Sequence, residues 1–128
     1  MKLRLADIAH ARSGDKANRA DIGLFAWDAT GYALLQQHVT VERVRAHFAH
    51  LLQSPGAQSV ERYELPRILA IKWVLNDALN GGAACSLRSD NLGKTIGALM
   101  LRLEIEVDDV QGRQAIASAL QAQAHLQS

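Results

Sequence analysis

The sequence is short of cysteine, of aromatic rings, of long apolar runs and of excess charge, and each shortage closes off a class of protein. One cysteine, Cys85, makes an internal disulfide impossible and suits a reducing compartment. With 14 basic against 13 acidic residues, no strong field selects for nucleic acid or an anionic membrane. Aromatics make up 5% of the chain, and only Phe25 and Trp27 share one candidate strand, which falls short of an RNA-recognition platform. No apolar run approaches the roughly 20 residues of a membrane span. Lys2 and Arg4 are followed by Asp7 and polar sequence instead of an apolar core, so no signal peptide is expected. These exclusions point to a cytoplasmic protein with neither a nucleic-acid nor a membrane partner.

What is present fits one globular unit. A chain of 128 residues with 48% hydrophobic content can bury a real core. Lys2–Ile8 alternates Leu3 and Leu5 with Lys2 and Arg4, as a strand does, until Asp7 breaks the pattern. Ala20–Trp27 alternates Ile22, Leu24 and Ala26 with Asp21, Gly23 and Phe25, a second strand. Asp28 can cap a short helix running to Val39, weakened by Gly31. Thr40 caps a clearer helix, with Glu42 in its first turn and Val41, Val44, Phe48, Leu51 and Leu52 in one stripe; Pro55-Gly56 ends it.

Ser59–Leu65 reads as a short strand. Ile68–Leu79 fits both periods, but its length, Pro66 ahead of it and Gly81-Gly82 behind it favour a helix. Leu101, Leu103, Ile105 and Val107 alternate with Arg102, Glu104 and Glu106 as a strand, and the Ala/Gln-rich tail from Gln111 to Leu126 reads as a helix with a weak face. About four strands and two main helices outside strict βα alternation predict an α+β protein. The expected form is a ferredoxin-like sandwich with a mostly antiparallel sheet, helices on one face, and the other face free for a partner.

The chemistry gathers in two polar stretches, both read as loops. His10-Ala11-Arg12-Ser13-Gly14-Asp15-Lys16-Ala17-Asn18 carries six kinds of polar side chain around one glycine; Ser86-Leu87-Arg88-Ser89-Asp90-Asn91-Leu92-Gly93-Lys94 has a similar inventory. Arg12, Lys16, Arg88 and Lys94 supply cations, Ser13, Asn18 and Ser86 neutral hydrogen-bond groups, and Asp15 and Asp90 carboxylates that can orient the cations. Internal Arg–Asp pairs holding two solvated turns explain the same inventory. If the stretches converge, cations outnumber carboxylates and the site favours an anion. His10 alone among these side chains has an ordinary pKa near neutrality, which makes it the candidate proton carrier.

Other motifs fail. Gly93-Lys94-Thr95 looks like the end of a phosphate-binding P-loop, but Arg88 stands where that motif needs glycine. There is no GxGxxG for a dinucleotide. His47 and His50 lack further ligands for zinc and read as a surface pair, and Cys85 reads as a buried small hydrophobe.

Three ordered runs, Asp7-Ile8-Ala9-His10-Ala11-Arg12-Ser13-Gly14-Asp15-Lys16, Arg62-Tyr63-Glu64-Leu65-Pro66, and Ser86-Leu87-Arg88 through Asp90 to Gly93-Lys94, resemble the AtuA-like ferredoxin-fold domain over roughly Leu3 to Val107. Ala17 stands where that family's run has glycine, and Gly81-Gly82-Ala83 replaces a fuller glycine run. The resemblance implies a domain over 1–109 followed by a helical tail over 110–128. It implies a place in catabolism of acyclic terpenes and branched acids through acyl-CoA thioesters, and a large AtuA-type N-terminal component as partner. No cofactor is implied beyond an acyl-CoA substrate.

On the enzymatic reading, His10, Asp15 and Lys16 do the chemistry, while Arg12, Ser13, Asn18, Ser86, Arg88, Asp90 and Lys94 bind substrate. The competing readings are a non-catalytic assembly module acting through its sheet face, and a homo-oligomeric binding protein acting alone.

Overall fold

The computed structural model describes residues 1–16, 19–52, 59–76 and 92–127. In chain order the elements are β1 (Lys2–Arg4), a 3-10 turn (Leu5–Asp7), β2 (Ala9–Lys16), β3 (Arg19–Ala26), α1 (Ala29–His38), α2 (Val41–Leu52), β4 (Ser59–Leu65), a 3-10 turn (Pro66–Ile68), β5 (Ala70–Asn76), α3 (Leu92–Met100), β6 (Glu104–Glu106) and α4 (Asp109–Gln127). Strands β2-β3-β5-β4 form one antiparallel sheet in that order, and β1 pairs with β6 in a small second sheet. The α+β, ferredoxin-like expectation holds.

Strand parity splits the four-stranded sheet into two unlike faces. Ile22, Leu24, Ile71, Trp73 and Leu75 point inward and join Leu35, Val44, Phe48, Ile96 and Met100 in one buried cluster. Each such side chain contributes roughly 1.5–3 kcal/mol by leaving water. α1 lies across β3 and β5, α2 reaches β4, and α3 lies along β2. α4 packs on α1 and sends Ala115 into the same core.

Both predicted helix caps form. Asp28 Oδ1 accepts from the Gly31 amide at 2.9 Å, and Thr40 Oγ1 from the Arg43 amide at 3.2 Å. The weak face of the tail resolves into buried Ala115 and Ala119, while Leu120 is 61% exposed.

Three sequence expectations change. The polar run from His10 is not a loop but strand β2 through Lys16, in register with β3 from Ala9↔Ala26 to Lys16↔Arg19. Its inward positions Ala9, Ala11 and Ser13 are small, so no apolar alternation is visible. They are small because α3 crosses close: a Cβ on Gly97 would lie 3.0 Å from Ser13 Oγ and 3.7 Å from Ala11 Cβ. Ile68–Leu79 is not a helix as far as it is described. Pro66 opens a single 3-10 turn, Leu69 takes a left-handed conformation at φ 55°, and β5 follows. β5 is buried at Ala70 and Val74 as well as at Ile71, Trp73 and Leu75, and that density of apolar residues imitates a helix face. Finally, only three residues at each end of the domain form β1 and β6; around them the predicted alternation survives as burial of Leu3, Leu103, Ile105 and Val107.

Candidate functional site on the open sheet face

The outward residues of the four strands form cross-strand rows. His10 stands opposite Phe25, which faces Ala70 and then Leu65. In the next row Arg12 faces Gly23, Gly23 faces Lys72, and Lys72 faces Tyr63. Gly14, Asp21, Val74 and Glu61 make the row after that. Two cations therefore flank a glycine in the middle of the face.

The rows enclose a shallow groove of about 380 Å³ whose lining includes Arg12, Gly14, Asp21, Phe25, Leu65 and Lys72. Gly23 makes room for the Phe25 ring here: a Cβ at this position would sit 2.8 Å from Cε2 of that ring, which would have to move. The ring thus lies back over the glycine. On its other side His10 stacks nearly parallel to Phe25, with centroids 5.2 Å apart at 15°, and also meets Trp27 at 4.5 Å and 39°. Burial in this ring stack lowers the His10 pKa from its ordinary value, and the neighbouring Arg12 charge lowers it further. The imidazole is accordingly neutral near pH 7.

Arg12 and Lys72 are exposed, and among the described residues neither has a hydrogen bond or an ion pair. The side-chain ion pair that does form there, Arg62–Glu64, belongs to the opposite face. Arg62 of the Arg62-Tyr63-Glu64-Leu65-Pro66 run is structural: Nε donates to the Val39 carbonyl at 3.2 Å, Nη2 to the Gln36 carbonyl at 3.1 Å, and the guanidinium lies 5.7 Å from the Trp73 ring centroid. It fastens the α1–α2 junction to the edge strand. Next to it, the Tyr63 hydroxyl donates to Glu61, whose pKa is lowered by that bond and by one from Asn76.

The residues expected at the site separate by position. His10 and Arg12 lie together on the open face. Ser13 points inward, where its Oγ accepts from the Gly97 amide at 2.9 Å and ties β2 to α3. Asp15 and Lys16 close β2 opposite Ala20 and Arg19. Lys94 lies in the first turn of α3. Gly97 meets Ser13 while Leu101, just past the helix, bonds Ala6, so α3 runs antiparallel to β2 and begins towards the Lys16–Arg19 end of the sheet. The strands around Lys16 and the helix carrying Lys94 therefore share one end of the molecule. Asn18, Ser86, Arg88 and Asp90 lie outside the described residues, as does Cys85.

Sequence reasoning missed Lys72 and Asp21. Lys72 is the one charge within β5, in a segment whose sequence reads as a helix; in strand phase it falls on the face of Arg12. No group of three His, Cys, Asp or Glu suited to a metal occurs among the described residues. His47 Nε2 instead donates to the Leu99 carbonyl at 2.6 Å, joining α2 to α3. None of the described helices is long and apolar enough to cross a membrane.

No curated protein and no solved structure matches the chain. The family model of the AtuA ferredoxin-like domain matches residues 3–106, which takes in the four-stranded sheet, Arg12, Lys72 and the stacked His10. The chain belongs to the AtuA ferredoxin-like domain family.

Proposed function

We propose that this chain is the small component of an AtuA-type protein, acting on an anionic acyl or carboxylate compound in the breakdown of acyclic terpenes or branched acyl-CoA thioesters. Its open sheet face supplies an anion site, and a large AtuA-type component is the partner that covers and completes it. The observation that carries this reading is the Arg12–Gly23–Lys72 row, with neither cation paired among the described residues. Two interstrand spacings separate the cation-bearing strands by about 10 Å, a gap that long side chains can close around one carboxylate or phosphate. A face shaped for stability alone would pair such charges with acids or move them apart.

His10 is neutral, next to Arg12, and so is the group to accept or relay a proton beside a bound anion. Asp15 and Lys16 close β2 and Lys94 lies in the first turn of α3, at the same end of the sheet, and with Asn18, Ser86, Arg88 and Asp90 of the sequence they are the further ligand contacts of this reading. Ser13, expected among the ligand contacts, is instead committed to the Gly97 amide and fixes β2 against α3. No cofactor is called for, and an acyl-CoA enters as substrate.

A second reading, the assembly module, is favoured by one feature. Tyr63, Leu65 and Ile68 on and beside edge strand β4 are 48%, 41% and 57% exposed, a docking surface contiguous with the groove. Reconstitution with the large component separates the two. Losing one charge-assisted hydrogen bond, roughly 1.5–3 kcal/mol, lowers turnover about 10- to 100-fold in Arg12→Ala or Lys72→Ala while the pair still co-purifies. Full turnover in both variants, with loss of the complex in Ile68→Asp, overturns the anion-site reading in favour of assembly.

A further inference from the structure

We infer that the ligand surface continues past the cation row, over the His10 ring and into a second groove walled by α4, which takes the apolar body of an amphipathic carboxylate. This rests on the anion-site reading of the Arg12–Lys72 groove.

The second groove, about 500 Å³, opens where β3 ends, with Trp27 on one side and Ala122 and Leu126 of α4 on the other. Leu126 is 72% exposed and Trp27 half-buried, so apolar surface here faces water. Phe25 lines the first groove and Trp27 the second, and the His10 ring touches both. No residue lines both grooves, and the Phe25–His10–Trp27 ring stack is what stands between them, its imidazole a flat surface over which an apolar chain can pass.

Charge fixes the direction of the ligand. The second groove contains no lysine or arginine; beside Ser118 and Gln121 it holds one histidine, His125, which has a partner of its own, and its carboxylate, Asp28, is engaged as the cap of α1. The anionic head therefore belongs at Arg12 and Lys72. From Gly23 to Trp27 the strand covers about 13 Å at ~3.3 Å per residue. An extended hydrocarbon advances ~1.25 Å per carbon from its ~1.5 Å bonds, so the span suits roughly eight to ten carbons. The cation row lies inside the family-matched residues 3–106, whereas α4 lies beyond them.

The test titrates the full ¹⁵N-labelled chain with butanoate and with decanoate below its micelle concentration. Butanoate is expected to move the amides of Arg12, Gly23 and Lys72 alone. Decanoate moves these together with the Trp27 indole, Ala122 and Leu126, and binds at least about tenfold more tightly, since each buried methylene is worth up to about fourfold. Ala122→Glu abolishes the decanoate advantage and leaves butanoate binding unchanged, and Leu126→Ser acts in the same direction more weakly; thermal melts by circular dichroism verify that both fold.

Arg12-dependent binding of both acids with equal affinity, and no response at Trp27, overturns the second groove while sparing the anion site. Binding indifferent to Arg12→Ala and Lys72→Ala overturns the anion reading and this inference together. A change of sedimentation in Ala122→Glu with decanoate binding intact reassigns the groove to a contact between copies of the chain and also overturns it.

Discussion

The two faces of the four-stranded sheet are drawn from alternate residues of the same strands, yet they follow different rules. On the inner face Ile22, Leu24, Ile71, Trp73 and Leu75 are buried to 0% exposure. Its polar members are committed, Ser13 to the Gly97 amide and Arg62 to two carbonyls, Glu64 and the Trp73 ring. On the outer face Arg12 and Lys72 are exposed and unpaired among the described residues, and Gly23 holds a place open between them. Packing and hydrogen bonds account for the inner residues named, apart from the buried Trp73 indole N–H, which has no hydrogen-bond partner among the described residues. The outer cations have no partner among the described residues, and that imbalance is the ground for proposing an anion site there.

The comparison can be broken most violently from inside. Trp73→Ala leaves a cavity and removes the platform for Arg62, and should cost about 3–5 kcal/mol in urea unfolding. A loss below about 1 kcal/mol would mean that the inner face is not the core. Arg12→Ala and Lys72→Ala should do the reverse, weakening carboxylate binding about tenfold or more while stability stays within about 0.5 kcal/mol.

Ser13 sharpens the boundary, because it lies beside Arg12 in sequence but on the other face. Ser13→Ala should lower stability by about 1 kcal/mol with carboxylate affinity unchanged. An unchanged melting curve with lost affinity would put Ser13 among the ligand contacts.

The smallest effect is a titration. The His10 ring, followed by NMR against pH, should protonate below its ordinary value of 6.5, and Arg12→Ala should raise its pKa towards that value. A depressed folded-state pKa means that the unfolded chain takes up the proton first. The His10 contribution to stability is therefore complete above pH 6.5 and is lost as the pH falls from there through the folded pKa.

Part of this was legible in the residues. Thr40 with Val44 and Phe48, Asp28 as a cap, and the Leu103–Ile105–Val107 alternation announce their elements because cap chemistry and one-sided burial leave a period in the sequence. β2 hid behind small inward residues that the close approach of α3 demands. β5 hid because five of its seven residues are apolar and buried, which removes the period that β3, central in the same sheet, retains. The site followed suit. His10 and Arg12 stood out as polar groups in a cluster, but Lys72 became visible only when β5 took its strand phase, and the His10–Phe25–Trp27 stack depends on a register between strands that no local pattern encodes.

Whether Arg12 and Lys72 hold one anion between them is decided by a double-mutant cycle on decanoate affinity, measured calorimetrically for the parent chain, Arg12→Ala, Lys72→Ala and the double variant. Shared contact predicts single losses of about tenfold or more and a double loss well short of their product, a coupling of about 0.5–3 kcal/mol. Single variants that bind as the parent does, or losses that simply multiply, would contradict a common site.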